Sequence, residues 1–247
     1  MAGCSPDSVH STLDKYILAD GYEFVVDLDR SHGSRLHDSR ADRDILDMFS
    51  CFSSLPIGWN HPKLVEMEPR LGRIAVNNIT NSDLYSIEMA DAIDTIGRIA
   101  KPDHMSHMFF IAGGALGVEN SLKAAMDWKQ QDRSRKGLPG DDGHPEVSIA
   151  HFEEAFHGRT GYTMSLTNTD PTKTDRFAKF DWPRIPNPKI RFPLDEAESS
   201  RLAGAESEAI ESLHAAAEAN PDQIAAVIIE PIQGEGGDNH FRPQFLQ

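Results

Sequence analysis

Cysteine is scarce, with only Cys4 and Cys51 in 247 residues. Two cysteines cannot build a disulfide framework, and neither sits among residues spaced as metal ligands. The eleven histidines include no HExxH pair. Positive charge is also short: Lys+Arg of 24 against Asp+Glu of 39 leaves a net charge of −15. That balance argues against nucleic acid or an anionic membrane as partner. No apolar run approaches the roughly 18 residues of a membrane span. The segment Met1-Ala2-Gly3-Cys4-Ser5-Pro6-Asp7 lacks both the basic and the apolar stretch of a secretory signal. A cytoplasmic protein is the expectation.

What is present is an ordinary globular balance, 39% hydrophobic and 26% charged. Residues 1–60 read as an arm of short elements, with strands over Tyr22–Asp29 and Ile45–Phe49 and a turn-rich stretch Pro56–Pro62. Residues 61–247 read as the first part of a large α/β domain. Ile87, Ala90, Ile93, Ile96 and Ala100 keep helical spacing until Pro102. The apolar run Met108–Ala112 reads as a strand, and Val118, Leu122, Ala125 and Met126 mark the next helix. Glu119 and Lys123 lie one turn apart on it. A polar loop is expected over Gln130–Pro145, a strand over Val147–Phe152, and irregular chain over 167–193. A long helix follows from Glu196 to Ala219, then a continuously apolar strand over Ile224–Ile229. Pro243 opens a final helical turn. This order predicts a parallel sheet with helices on its faces.

Three segments at the C-terminal ends of predicted strands carry chemistry, where open α/β sheets place ligands. Gly113-Gly114-Ala115 sits at a strand-to-helix junction, which suits either a plain tight turn or a phosphate on free helix N–H groups. Phe156-His157-Gly158-Arg159 offers a ring to stack on a planar heterocycle and a guanidinium to clamp a carboxylate, or else a core Phe and a surface Arg. Glu230-Pro231-Ile232-Gln233-Gly234-Glu235-Gly236-Gly237 packs two carboxylates and an amide into a Gly-rich loop after a buried strand. Such groups serve a site or satisfy loop N–H groups.

Taken together, Gly113–Lys123, Ala155–Tyr162, Phe180-Asp181-Trp182-Pro183-Arg184-Ile185 and Glu230–Asp238 resemble the class III (ω-amino acid) aminotransferases, in order and spacing, over Tyr22–Gln247. Within that class the pattern is most similar to the lysine 6-transaminases. The resemblance implies a fold-type-I transferase that works as a homodimer with pyridoxal 5'-phosphate. It implies that Gly114 and Ala115 hold the phosphate, through backbone N–H groups because Ala115 has no hydroxyl. Phe156 would stack on the pyridine with His157 beside it, and Glu230 and Gln233 would lie beneath the cofactor. Arg159 would grip the α-carboxylate of L-lysine. Glu235 would act as a switch, paired with a distant arginine until 2-oxoglutarate enters. The implied products are the 6-semialdehyde and L-glutamate.

The same resemblance implies a Schiff-base lysine and an aspartate on the pyridine nitrogen. Neither is in place: Lys63, Lys123 and Lys179 lack the required context. Both residues, and a small C-terminal domain, are expected beyond Gln247, so the chain reads as an inactive N-terminal half. A 4-aminobutyrate or other ω-amino acid aminotransferase shares the Glu-Pro-Ile-Gln and Phe-Asp-Trp-Pro segments and stays open. So does a truncated, non-catalytic product. The Gly-Gly-Ala-Leu-Gly-Val-Glu-Asn turn favours lysine.

Overall fold

The computed structural model describes residues 4–77, 83–138 and 147–247, and the chain divides into two compact units, Met1–Ala100 and Lys101–Gln247. The first opens on a short helix α1 (Val9–Leu13). An antiparallel meander follows: β1 (Val26–His32), β2 (Arg35–Asp38) and β3 (Arg43–Leu46), in that spatial order. β3 ends earlier than its apolar pattern implied. The Asp47 carboxylate accepts the Phe49 and Ser50 N–H groups at 2.9 and 2.7 Å, which turns the chain out of the ladder. β1 likewise starts at Val26; ahead of it Tyr22 stacks on Phe24, with ring centroids 5.1 Å apart. Helices α2 (Pro62–Val65), α3 (Glu68–Val76) and α4 (Ile87–Ile99) complete this unit. The Ser86 hydroxyl accepts the Met89 N–H at 3.1 Å and sets where α4 begins.

The second unit is built on three parallel strands in the order β5-β4-β6: β4 (Ser148–Phe152), β5 (Arg184–Ile185) and β6 (Ile224–Ile228). β4 is central, with Ala150 opposite Val227 on one side and Phe152 opposite Ile185 on the other. Strand alternation sends neighbouring residues to opposite faces. Ile149 packs with Leu122 of α5 (Gly114–Arg135) and Leu166 of α6 (Gly161–Leu166). Ala150 and Phe152 pack with Ala209 of α7 (Glu196–Ala219), and Phe245 of α8 (Pro243–Leu246) closes edge-on against Phe152. Covered on both faces, this sheet realises the predicted α/β architecture. α7 occupies the expected range because the Asp195 carboxylate accepts the Glu198 N–H at its start.

Two expectations are corrected. Met108–Ala112 forms neither strand nor helix and has no ladder partner among the described residues; Phe109 is 73% exposed. Apolar content alone does not make a strand where no neighbour offers N–H and C=O groups. The polar segment expected from Gln130 is helical through Arg135, because its Lys, Gln and Arg residues favour helix and Lys136 pairs with Asp132 at 2.9 Å. Residues 139–146 of that expected loop lie outside the described residues. Among the described residues no helix is long and apolar enough to cross a membrane.

Candidate active site

The connections leaving β4 and β6, with the start of α5, meet at one end of the parallel sheet. Their junctions are glycines. Gly158 has φ +115°, and a Cβ there would lie 2.5 Å from the Ala115 Cβ and 2.9 Å from Thr163 Oγ1. The Phe-His-Gly-Arg loop therefore presses its backbone onto the first turn of α5. Thr167 pins the same loop: its Oγ1 accepts the His157 N–H at 3.0 Å and donates to the Gly158 carbonyl at 2.7 Å. Gly236 sits against the Glu154 carbonyl so closely that a Cβ would stand 2.1 Å from that oxygen.

A second tie joins the loops. The Phe156 N–H donates to Glu230 Oε1 at 2.8 Å. Burial pushes the Glu230 carboxyl above its usual range, against the opposing pull of the Phe156 and Gly234 N–H groups, and Glu235 adds to the rise. His157 is buried and held down to about 4 by desolvation, so its ring is neutral at pH 7. Its Nε2 is buried without a hydrogen-bond partner among the described residues. At the α5 N-terminus Gly113 has φ +96° and caps no N–H with a side chain, and the first turn holds no acidic residue. A Cβ at Gly113 or Gly114 would meet nothing within 4 Å. These N–H groups form an open anion seat at a helix of 22 residues.

A profile of the aminotransferase class-III family matches residues 17–247. The chain belongs to the class-III aminotransferases. It is 47% identical over 245 residues to an L-lysine-epsilon aminotransferase of Mycobacterium tuberculosis, covering 98% of this chain and 53% of the relative. The solved lysine aminotransferase from M. tuberculosis superposes with a TM-score of 0.90 at 46% identity, over 98% of this chain and 55% of that one. A mitochondrial 4-aminobutyrate aminotransferase of Bos taurus is more distant, 30% identical over 93% of this chain and 49% of the relative. The chain thus spans about half the length of the relatives it matches.

Class-III aminotransferases depend on pyridoxal phosphate, and the residues present in this class-III chain fit that group. The α5 terminus, with no side-chain cap, suits a phosphate, and the neutral His157 Nε2, without a partner among the described residues, suits a polar edge of the cofactor. The structure brings Ala115 against Gly158 and Phe156 onto Glu230; Gly114 and His157 are their chain neighbours. Gln233 is completely buried, and its amide is spent inside the chain: Nε2 donates to the Glu153 carbonyl at 2.9 Å, and Oε1 accepts from Asn187 and Asn239. Arg159 is exposed, with no side-chain partner among the described residues. Glu235 is paired with Lys173. Sequence reading overlooked Lys173, Thr167 and the group Glu154, Asn187, Lys189 and Asn239. Only Glu154 carried a signal, its place just past the C-terminal end of β4.

Proposed function

We propose that this chain supplies the cofactor- and donor-binding half of an L-lysine 6-transaminase, a homodimer that passes the ε-amino group of L-lysine to 2-oxoglutarate. The observation that carries the reading is the convergence of the Gly-Gly-Ala, Phe-His-Gly-Arg and Glu-Pro-Ile-Gln segments through Gly158 on Ala115 and Phe156 on Glu230. The 47% identity to an enzyme named for lysine supports the donor, against 30% to one named for 4-aminobutyrate.

Pyridoxal phosphate, when bound, supplies the electron sink for breaking a bond at the amine-bearing carbon. The chain's own residues bind and orient. The Gly114 and Ala115 N–H groups would hold the phosphate, Phe156 would stack on the ring, and neutral His157 would offer a hydrogen bond without adding charge. Arg159 takes the α-carboxylate of lysine bidentately, which delivers the far, ε end to the cofactor and leaves the α-amine out of reach.

In the full-length holoenzyme, Arg159→Ala is expected to lower kcat/KM for L-lysine by about tenfold to a hundredfold, the value of a charge-assisted pair. A simple ω-amine without an α-carboxylate should be nearly unaffected. Equal losses on both substrates would make Arg159 structural and sink the grip.

Glu235 is the selectivity switch of this reading, and Lys173 gives it a resident counter-ion. While Glu235 is engaged, a gating arginine elsewhere in the enzyme stays free to take a dicarboxylate. Lys173→Ala should release Glu235 to that arginine, speeding the lysine half-reaction and slowing the one with 2-oxoglutarate, each by roughly twofold to fivefold, as suits an exposed pair. Single-turnover absorbance of the two half-reactions measures the split; equal changes in both would remove Lys173 from the switch.

A further inference from the structure

Beneath the loop from Glu230 to Gly237 lies a polar group that carries no part of the reaction described above. Asn239 is 7% exposed, and three acceptors face its Nδ2: Gln233 Oε1 at 2.9 Å, Glu154 Oε2 at 3.1 Å and the Gly236 carbonyl at 3.1 Å. Asn187 Nδ2 donates to the same two side chains, each at 2.7 Å. Lys189 Nζ neutralises Glu154, 2.6 Å from its Oε1. Every donor in the cluster points at an oxygen, while Asn187 Oδ1 is buried with no hydrogen-bond partner among the described residues.

The cluster spans the two loops that build the site. From the β4 side come the Glu153 carbonyl, bound by Gln233, and Glu154, whose carbonyl lies against Gly236. Two residues on, the Phe156 N–H reaches Glu230. Asn239 and Asn187 both donate to Glu154 and Gln233, and Asn239 alone of the two also holds the Gly236 carbonyl, so it ties the turn that carries Glu235 to the β4 side. We infer that Asn239, acting with Gln233 and Glu154, is a positioning residue that sets the seat of Phe156 relative to Glu230 and Glu235. This rests on the proposed cofactor site but not on lysine as the donor.

Replacing its amide by a carboxylate of the same shape, Asn239→Asp, turns two donated protons into an oxygen facing three acceptors, with Lys189 as the one neighbouring cation in the cluster. In the full-length holoenzyme the dissociation constant for pyridoxal phosphate should rise about tenfold or more. Amide hydrogen exchange at Phe156 and across Gly234–Asp238 should speed up to match. Exchange in the buried strand β4 and in α7 should stay as in the parent, which a merely destabilised fold would not do. If Asn239→Asp does not fold, Asn239→Ala reads the same quantities in the same direction. Unchanged affinity and exchange in these variants, or exchange that rises equally in β4 and α7, would overturn the assignment. An enzyme inactive on lysine but still showing these shifts would sink the donor reading and leave this one standing.

Discussion

Gly158→Ala is expected to destabilise the protein by roughly 2–5 kcal/mol and to abolish cofactor binding at ordinary concentrations. Two penalties add. At φ +115° an L-residue is strained wherever it stands, and here the new methyl would also lie 2.5 Å from the Ala115 Cβ. Relief requires the Phe-His-Gly-Arg loop to lift away from the α5 N-terminus, which separates the phosphate seat from the ring that covers the cofactor. Gly204→Ala is the matched control. It lies exposed within α7 with nothing within 4 Å of the added Cβ, so it should stabilise by about 1 kcal/mol through helix propensity. Urea midpoints of the two variants measure the contrast. A Gly158→Ala protein as stable as its parent would show that the loops are not pressed together.

Acidification from pH 7 to pH 5 should cost on the order of 3–4 kcal/mol of stability, through two histidines. His151 and His157 are both buried and both held down to about 4. Desolvation is the main cause for each, and the Arg184 charge adds to it at His151. In the unfolded chain each takes up its proton near pH 6.5. Between those values the unfolded state binds more protons, so stability is full above about 6.5 and is lost as pH falls towards 4. The slope is about 1.4 kcal/mol per pH unit for each ring. Denaturation midpoints at pH 7 and 5 give the measurement, and His157→Gln should remove about half of the difference. A pH dependence untouched by His157→Gln would place the acid sensitivity elsewhere.

The legible parts of the fold are those written in local pattern. α7 shows itself by a helical stripe from Glu196 to Ala219, and β6 by an unbroken apolar run. Met108–Ala112 carried the same kind of run and formed no strand, because hydropathy reports a wish for burial and not the presence of a ladder neighbour. In the candidate site, the contacts of Gly158 with Ala115 and of Phe156 with Glu230 join residues that stand in short contiguous motifs. Asn239, Asn187 and Lys189 were not legible. Their meaning lies in contacts between segments far apart in the chain, and a lone amide in a loop looks the same whether it is solvated or holds two loops in register. Lys173 was hidden likewise: only the fold brings it to Glu235.

The strand order β5-β4-β6 also bears on how the chain is born. β4 is the middle strand, yet Ser148 pairs with Ile224, and the whole of α7 lies in between. At a synthesis rate of about 5–20 residues per second, β4 leaves the ribosome several seconds before its neighbour β6 exists. Through that interval Ile149, Ala150 and Phe152 have only part of their eventual cover, and the backbone groups meant for β6 are open to any passing strand. Nascent chains caught before Ile224 should therefore be the form that chaperones bind and proteases cut, and synonymous codon changes that slow translation across 196–223 should lower the yield of folded protein without altering a single residue.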